Sequence, residues 1–215
     1  MADTVDALLP LSFLEAVRSV DTPAEDLEDA EYVPELRNKR LGLSDTVYAQ
    51  IKRLNEAARR HHRVGQDEAE ALARLVGRRP DAEAVFRSAG RYVANQAYLT
   101  ISPFTRRVML LLPSLLARPI ALRKARRIAA RYFNGQLKRV GSSLLLEVPD
   151  SVTASSAPRG SGCAYYEAGL REPVRLLVGG AGAVEHVRCV SRGEGSCEWR
   201  AEWRPVDGAS ARGGG

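Results

Sequence analysis

The twelve residues HVRCVSRGEGSC (186–197) gather His186, Cys189 and Cys197 around a glycine turn, in a chain of 215 residues with three cysteines and three histidines. The third thiol, Cys163, lies 26 residues before Cys189. Thiolate sulfur and imidazole nitrogen are the donors that a borderline-soft ion such as zinc selects. Cys189 and Cys197 are equidistant from Gly193, so a hairpin turning there makes them cross-strand partners. Such partners hold their Cβ atoms about 4.5–5.5 Å apart. With zinc–sulfur bonds of about 2.3 Å, both thiols reach one ion. Cys163 and His186 would complete a set of four.

A straight strand opposes part of this arrangement. His186 and Cys189 are three residues apart and point to opposite faces, with backbones roughly 10 Å apart. One ion takes both only if the strand bends or bulges, and Gly179, Gly180 and Gly182 offer slack for that. Glu185 shares the face of Cys189 and is held as a reserve ligand. On spacing alone two other readings stay open. The thiols can be small buried hydrophobes with His186 at the surface, or Cys189 and Cys197 can form a disulfide.

The elements that must position these residues are legible in outline. AVEHVRCVS and CEWRAEWRP read as a terminal hairpin with Gly193-Glu194-Gly195 at its turn. CAYYEAGLREPVRLLVGG (163–180) reads as a helix despite Pro173, and TASSAPRGSG (153–162) as a loop. QLKRVGSSLLLEVPD (136–150) alternates as a strand pair or one long strand. Upstream, helical periodicity marks a helix from a Ser44 cap through Val47, Ile51, Leu54 and Ala58, and a second through Ala69, Leu72, Leu75 and Val76. A third is capped by Asp81, and a fourth starts at Ser102-Pro103 and breaks at Pro113 and Pro119. A basic helix then runs from Ile120 to Phe133 and stops at Asn134-Gly135. The expected fold is α+β: a helix-rich N-terminal part packed on a small antiparallel sheet that ends in a C-terminal hairpin. Residues 1–40 are expected to hold a short helix (8–17) and an acidic linker (21–35), residues 41–206 the domain, and residues 207–215 a flexible tail.

With those elements in place, the stretch 160–205 resembles the end of the 4-vinyl-reductase-type domain. That domain shares a superfamily with trafficking-complex (TRAPP) subunits and haem nitric-oxide sensors, and it forms the sensory part of phenol-responsive activators. In the phenol sensors zinc is held by an upstream cysteine, an acid three residues before a second cysteine, and a third cysteine eight residues later. Cys163, Cys189 and Cys197 match that spacing, while His186 stands where the acid is expected. The resemblance implies a structural zinc ion on Cys163, His186, Cys189 and Cys197. It also implies a nearby pocket for a small apolar or aromatic molecule, for which Phe104, Phe133, Tyr165, Tyr166, Trp199 and Trp203 are the candidate lining.

Composition narrows the rest. Residues 1–40 carry a net charge of −6, and the remainder +12. No apolar run reaches the roughly 18–20 residues needed to cross a bilayer, and the acidic N-terminus does not read as a secretory signal. A cytoplasmic protein with reduced thiols is expected. RKARRIAARYF (123–133) puts Arg123, Arg127 and Arg131 on one helix face. No nucleic-acid motif accompanies it, so a solvated face is expected rather than one that binds nucleic acid or a membrane surface. His61-His62 reads as a helix C-terminus. No phosphate loop, dinucleotide fingerprint or catalytic motif is present, and no acid/base pair suggests catalysis. The expectation is a stand-alone bacterial sensor or adaptor, a homodimer that reports ligand occupancy to a protein partner. The alternatives are a tetrapyrrole vinyl reductase or its accessory, and a ligand-free interaction scaffold.

Overall fold

From residue 82 to residue 99 one helical face is built of Ala82, Val85, Phe86, Ala89, Gly90, Val93, Ala94 and Ala97, all buried. So many small residues in one stripe let a neighbouring backbone come close. In the computed structural model, which describes residues 3–21, 45–112, 114–154, 156–178 and 183–202, that neighbour is the helix Ala164–Val178. A Cβ built on Gly90 would lie 2.1 Å from the carbonyl oxygen of Tyr165 and 3.0 Å from the Gly169 nitrogen. Helix propensity alone favours alanine over glycine by up to about 1 kcal/mol. The contact reverses that sign. Gly90→Ala is expected to destabilise the protein by about 1–3 kcal/mol, and an unchanged or raised urea midpoint would disprove the close approach.

The described residues form seven α-helices and six strands. In chain order they are β1 (Thr4–Asp6), α1 (Leu8–Asp21), α2 (Asp45–Arg59), β2 (Arg63–Gly65), α3 (Gln66–Gly77), α4 (Ala82–Leu99), α5 (Pro103–Leu111) and α6 (Ser114–Tyr132). Then follow β3 (Gln136–Val140), β4 (Ser143–Val148), a 3₁₀ turn (Pro158–Cys163), α7 (Ala164–Val178), β5 (Val184–Arg188), a short 3₁₀ turn (Val190–Arg192) and β6 (Cys197–Glu202). The fold is α+β, as expected. One antiparallel sheet has the order β3-β4-β6-β5, and a two-stranded ribbon pairs β1 with β2. β4 alternates buried and half-buried residues, with Leu144, Leu146 and Val148 inward, the pattern of a strand covered on one face.

Several local expectations hold and several do not. Ser102 caps α5 by accepting the Thr105 amide at 3.3 Å, with Pro103 at the first helical position. Asn134 (φ 50°) and Gly135 end α6, and the Gly135 amide reaches back to the Ala129 carbonyl. α6 begins at Ser114 and runs through Pro119. The proline removes one backbone bond without ending a helix that continues for three more turns. α7 likewise runs through Pro173. Asp81 precedes α4 without capping it, because its carboxylate is held by Arg79 at 2.8 Å. Arg79 also binds Asp21 at 3.1 Å, so the end of α1 is tied to the start of α4. That bond from Arg79 holds the Asp81 carboxyl below its usual range.

The expectation that the domain starts near residue 41 needs correction. β1 and α1 share the single hydrophobic core, with Val5, Leu9, Leu11 and Phe13 buried among the later helices. Burial of this apolar face decides the matter, because an amphipathic helix finds its partner wherever the chain allows, across an acidic linker included. Ser44, the acidic stretch 22–35 and the tail 207–215 lie outside the described residues.

Candidate metal centre

β6 runs between β4 and β5, and its first residue is Cys197. The β5–β6 register pairs Val184 with Ala201, Glu185 with Arg200 and His186 with Trp199, then Arg188 with Glu198. Val187 is therefore an extra residue, a β-bulge. One inserted residue shifts the alternation, so His186 and Cys189 come to the same side. The bend that four ligands require is thus present, at Val187 in the strand itself. The glycines at 179, 180 and 182 lie outside the described residues.

Beyond the bulge, Cys189 and Cys197 shape the turn. The Cys189 carbonyl accepts the amides of Arg192 at 2.9 Å and Glu194 at 3.4 Å, and the Cys189 amide donates to the Glu194 carboxylate. Gly193 sits at φ 84°, a left-handed conformation that glycine adopts without strain. The Val190 amide donates to the Cys197 sulfur at 3.4 Å, and the Ser191 hydroxyl lies 2.8 Å from the Cys189 sulfur. Backbone and hydroxyl donors of this kind surround sulfurs that carry charge.

Cys163 comes from the other side, at the junction of the 3₁₀ turn and α7. The turn is pinned by Thr153, a fully buried residue whose hydroxyl donates to the Gly162 carbonyl at 2.6 Å. The Cys163 and Cys189 sulfurs lie 3.6 Å apart, and the ligand atoms of Cys163, His186, Cys189 and Cys197 all lie within 4.8 Å of one another. A tetrahedron with zinc–sulfur bonds of about 2.3 Å has sulfur–sulfur edges of about 3.8 Å. The group therefore closes on such an ion with only small movements. All three cysteines are buried, and none is in a disulfide.

The imidazole supplies the most telling detail. His186 Nε2 is buried and has no hydrogen-bond partner, a costly state for a polar atom unless something else satisfies it. Its ring stacks on Trp199 with centroids 4.8 Å apart and planes 6° from parallel, so the cross-strand pair fixes its orientation. The Cys197 thiol is lowered to about 6, first by its hydrogen bond with Cys163, then by the Val190 amide, Cys189 and His186. Cys163, the donor in that contact, is pushed up by it and by burial. Of the two thiols, Cys197 is thus the first to give up its proton, and the thiolate is the form that binds a metal. Glu185 takes no part. It is exposed, paired with Arg200 in the register, and absent from the converging group.

The candidate lining residues have divided fates. Trp199 packs on Tyr166 (4.9 Å between centroids), Tyr166 on Tyr165 (5.0 Å), and Tyr165 on Phe133 (5.6 Å). Phe13 of α1 joins at 5.5 Å from Tyr165, a partner that sequence reading missed because α1 had been set outside the domain. These rings fill one another's space. The cavity beside Phe133 measures about 10 Å³, too small for any organic ligand. Phe104 belongs elsewhere: it is 77% exposed on α5. Trp203 lies outside the described residues.

An open cleft of about 560 Å³ borders the metal-ligand cluster. Cys163, His186 and Trp199 are among its lining, as are Arg79, Glu83 and Glu167. The Trp199 indole nitrogen is buried without an acceptor. His61 (φ 58°) and His62 follow the end of α2, as expected, and take no part in the cluster. No helix among the described residues is long and apolar enough to cross a membrane. No protein-family model, no curated protein and no solved structure matches this chain.

Proposed function

We propose that Cys163, His186, Cys189 and Cys197 hold a structural zinc ion, and that the chain is a sensor or adaptor module of the 4-vinyl-reductase type. The observation that carries the metal assignment is the convergence of three thiols on an imidazole whose buried nitrogen has no other partner. Three sulfurs and one nitrogen suit zinc in a closed tetrahedral site, and four protein ligands leave no position for a reacting water. When bound, the ion supplies cross-linking between the terminal hairpin and the start of α7. The Val190 amide donates to the Cys197 sulfur, the Ser191 hydroxyl lies against the Cys189 sulfur, Trp199 orients the imidazole, and Thr153 positions the turn that carries Cys163.

Because the aromatic rings close the interior, the small apolar or aromatic ligand enters the cleft beside His186 and Trp199. Its volume falls in the range of about 300–1,000 Å³ usual for small-molecule sites. Occupancy is then passed to an associated protein. A second reading, a ligand-free scaffold, is favoured by the filled aromatic core itself.

Elemental analysis of untagged protein tests the metal. About one zinc per chain in the wild type and none in Cys189→Ser is expected, and metal-free wild type would end the assignment. Quenching of tryptophan fluorescence by a panel of phenols separates the two readings. Saturable quenching supports the sensor, and none across the panel supports the scaffold.

A further inference from the structure

From Ala84 to Leu146 the chain carries twelve Lys and Arg residues and no Asp or Glu. Three of these bases have acidic partners: Arg87 with Glu83 and Glu167, Arg131 with Asp6, and Lys138 with Glu147. Arg107, Arg123, Lys124 and Arg127 have none among the described residues. Bases of this kind are ordinarily solvated, and a solvated face is the expectation for α6. The structure adds apolar exposure on α5 and at the start of α6. On α5, Phe104, Arg107 and Leu111 follow at intervals of three and four and form its outer stripe, with Phe104 at 77% and Leu111 at 85% exposure. On α6 the outer stripe is Leu116, Pro119, Arg123 and Arg127. Leu116 is 58% exposed, just beyond the junction where α5 gives way to α6.

We propose that these outer stripes of α5 and α6 form a docking surface for an anionic lipid bilayer. Large apolar side chains beside unpaired cations are what the boundary between headgroups and acyl chains accepts. The leucines and the phenylalanine leave water while the arginines meet lipid phosphates. No helix among the described residues is long and apolar enough to cross a membrane, and the proposed contact lies on the membrane surface. A second copy presenting this same face would bring like charges together. A nucleic-acid backbone would satisfy the bases but give Phe104 and Leu111 nowhere apolar to go. The inference is independent of the metal centre.

Sedimentation of the full chain with vesicles tests it. Binding is expected to phosphatidylcholine vesicles containing phosphatidylserine, to weaken as salt rises from about 0.05 to 0.5 M, and to be slight on phosphatidylcholine alone. Each base near an anionic surface is worth about fivefold in binding. Arg123→Gln with Arg127→Gln should therefore bind about thirtyfold more weakly, and Phe104→Ser with Leu111→Ser roughly tenfold more weakly. All four side chains are exposed, and thermal melting checks that both variants stay folded. The proposal is overturned if the wild type stays in the supernatant with anionic vesicles, or if either variant binds as the wild type does. It is also overturned if the serine variant instead splits a wild-type dimer, which assigns the face to a second copy. Tighter binding to duplex DNA than to vesicles, unaffected by the serines, overturns it in favour of nucleic acid.

Discussion

Removing the metal with a chelator is expected to lower the thermal midpoint by about 8–16 °C. With free zinc at about a thousand times its dissociation constant, binding to the native state alone contributes about 4 kcal/mol. A chain of 150–250 residues loses about 2–4 °C per kcal/mol. The effect should centre on the terminal hairpin. Its turn is shaped by Cys189 and Cys197, and β5 and β6 are held to α7 through Cys163. Cys197→Ser should reproduce the loss, since a hydroxyl matches the size of the thiol but not its affinity for zinc. Chelator should then have no further effect on the variant. If the wild type melts at the same temperature with and without chelator, the cluster is a set of buried thiols and the staple does not exist.

Trp199→Ala should cost about 3–5 kcal/mol, the range for removing a large aromatic side chain from a core. Trp199 is fully buried, lies between His186 and Tyr166, and sits on β6 beside the central strand β4. Its removal also frees the imidazole to rotate away from the sulfurs. Partners that orient a ligand typically contribute 10–100-fold in metal affinity, so chelator competition should show zinc held that much more weakly. Trp199→Phe keeps a stacking ring and should recover most of the affinity while leaving some of the stability deficit. A Trp199→Ala protein that is destabilised but binds zinc with wild-type affinity would show that stacking does not position His186.

The fold was legible wherever local chemistry dictates conformation. Ser102-Pro103 and Asn134-Gly135 mark helix ends because a capping hydroxyl and a left-handed asparagine act over three or four residues. The β3–β4 pair and the terminal hairpin follow from alternation around glycine turns. Pro119 misled because packing along a whole helix outweighs one lost backbone bond. Asp81 misled because the nearby cation of Arg79 competes with the helix amides for its carboxylate. The place of α1 was not legible at all. Its run of buried residues from Leu8 to Phe13 calls for burial without specifying what buries it.

For the candidate site, residue type and spacing named the candidate donors, three scarce thiols and one histidine with Cys189 and Cys197 symmetric about Gly193, while Glu185 stayed in reserve and inert thiols or a disulfide stayed open. Such a choice needs no coordinates, because few side chains bind soft metals and a hairpin brings residues equidistant from its turn together. Only the tertiary structure decided that Val187 bulges, that His186 therefore joins Cys189, and that Glu185 turns away. It also decided that Phe133, Tyr165, Tyr166 and Trp199 fill the core, while Phe104 stands outside it on the same helix as Arg107, which has no acidic partner among the described residues. Register, bulges and the filling of space depend on contacts between segments distant along the chain. The energies of those contacts belong to the pair, and neither segment carries them by itself.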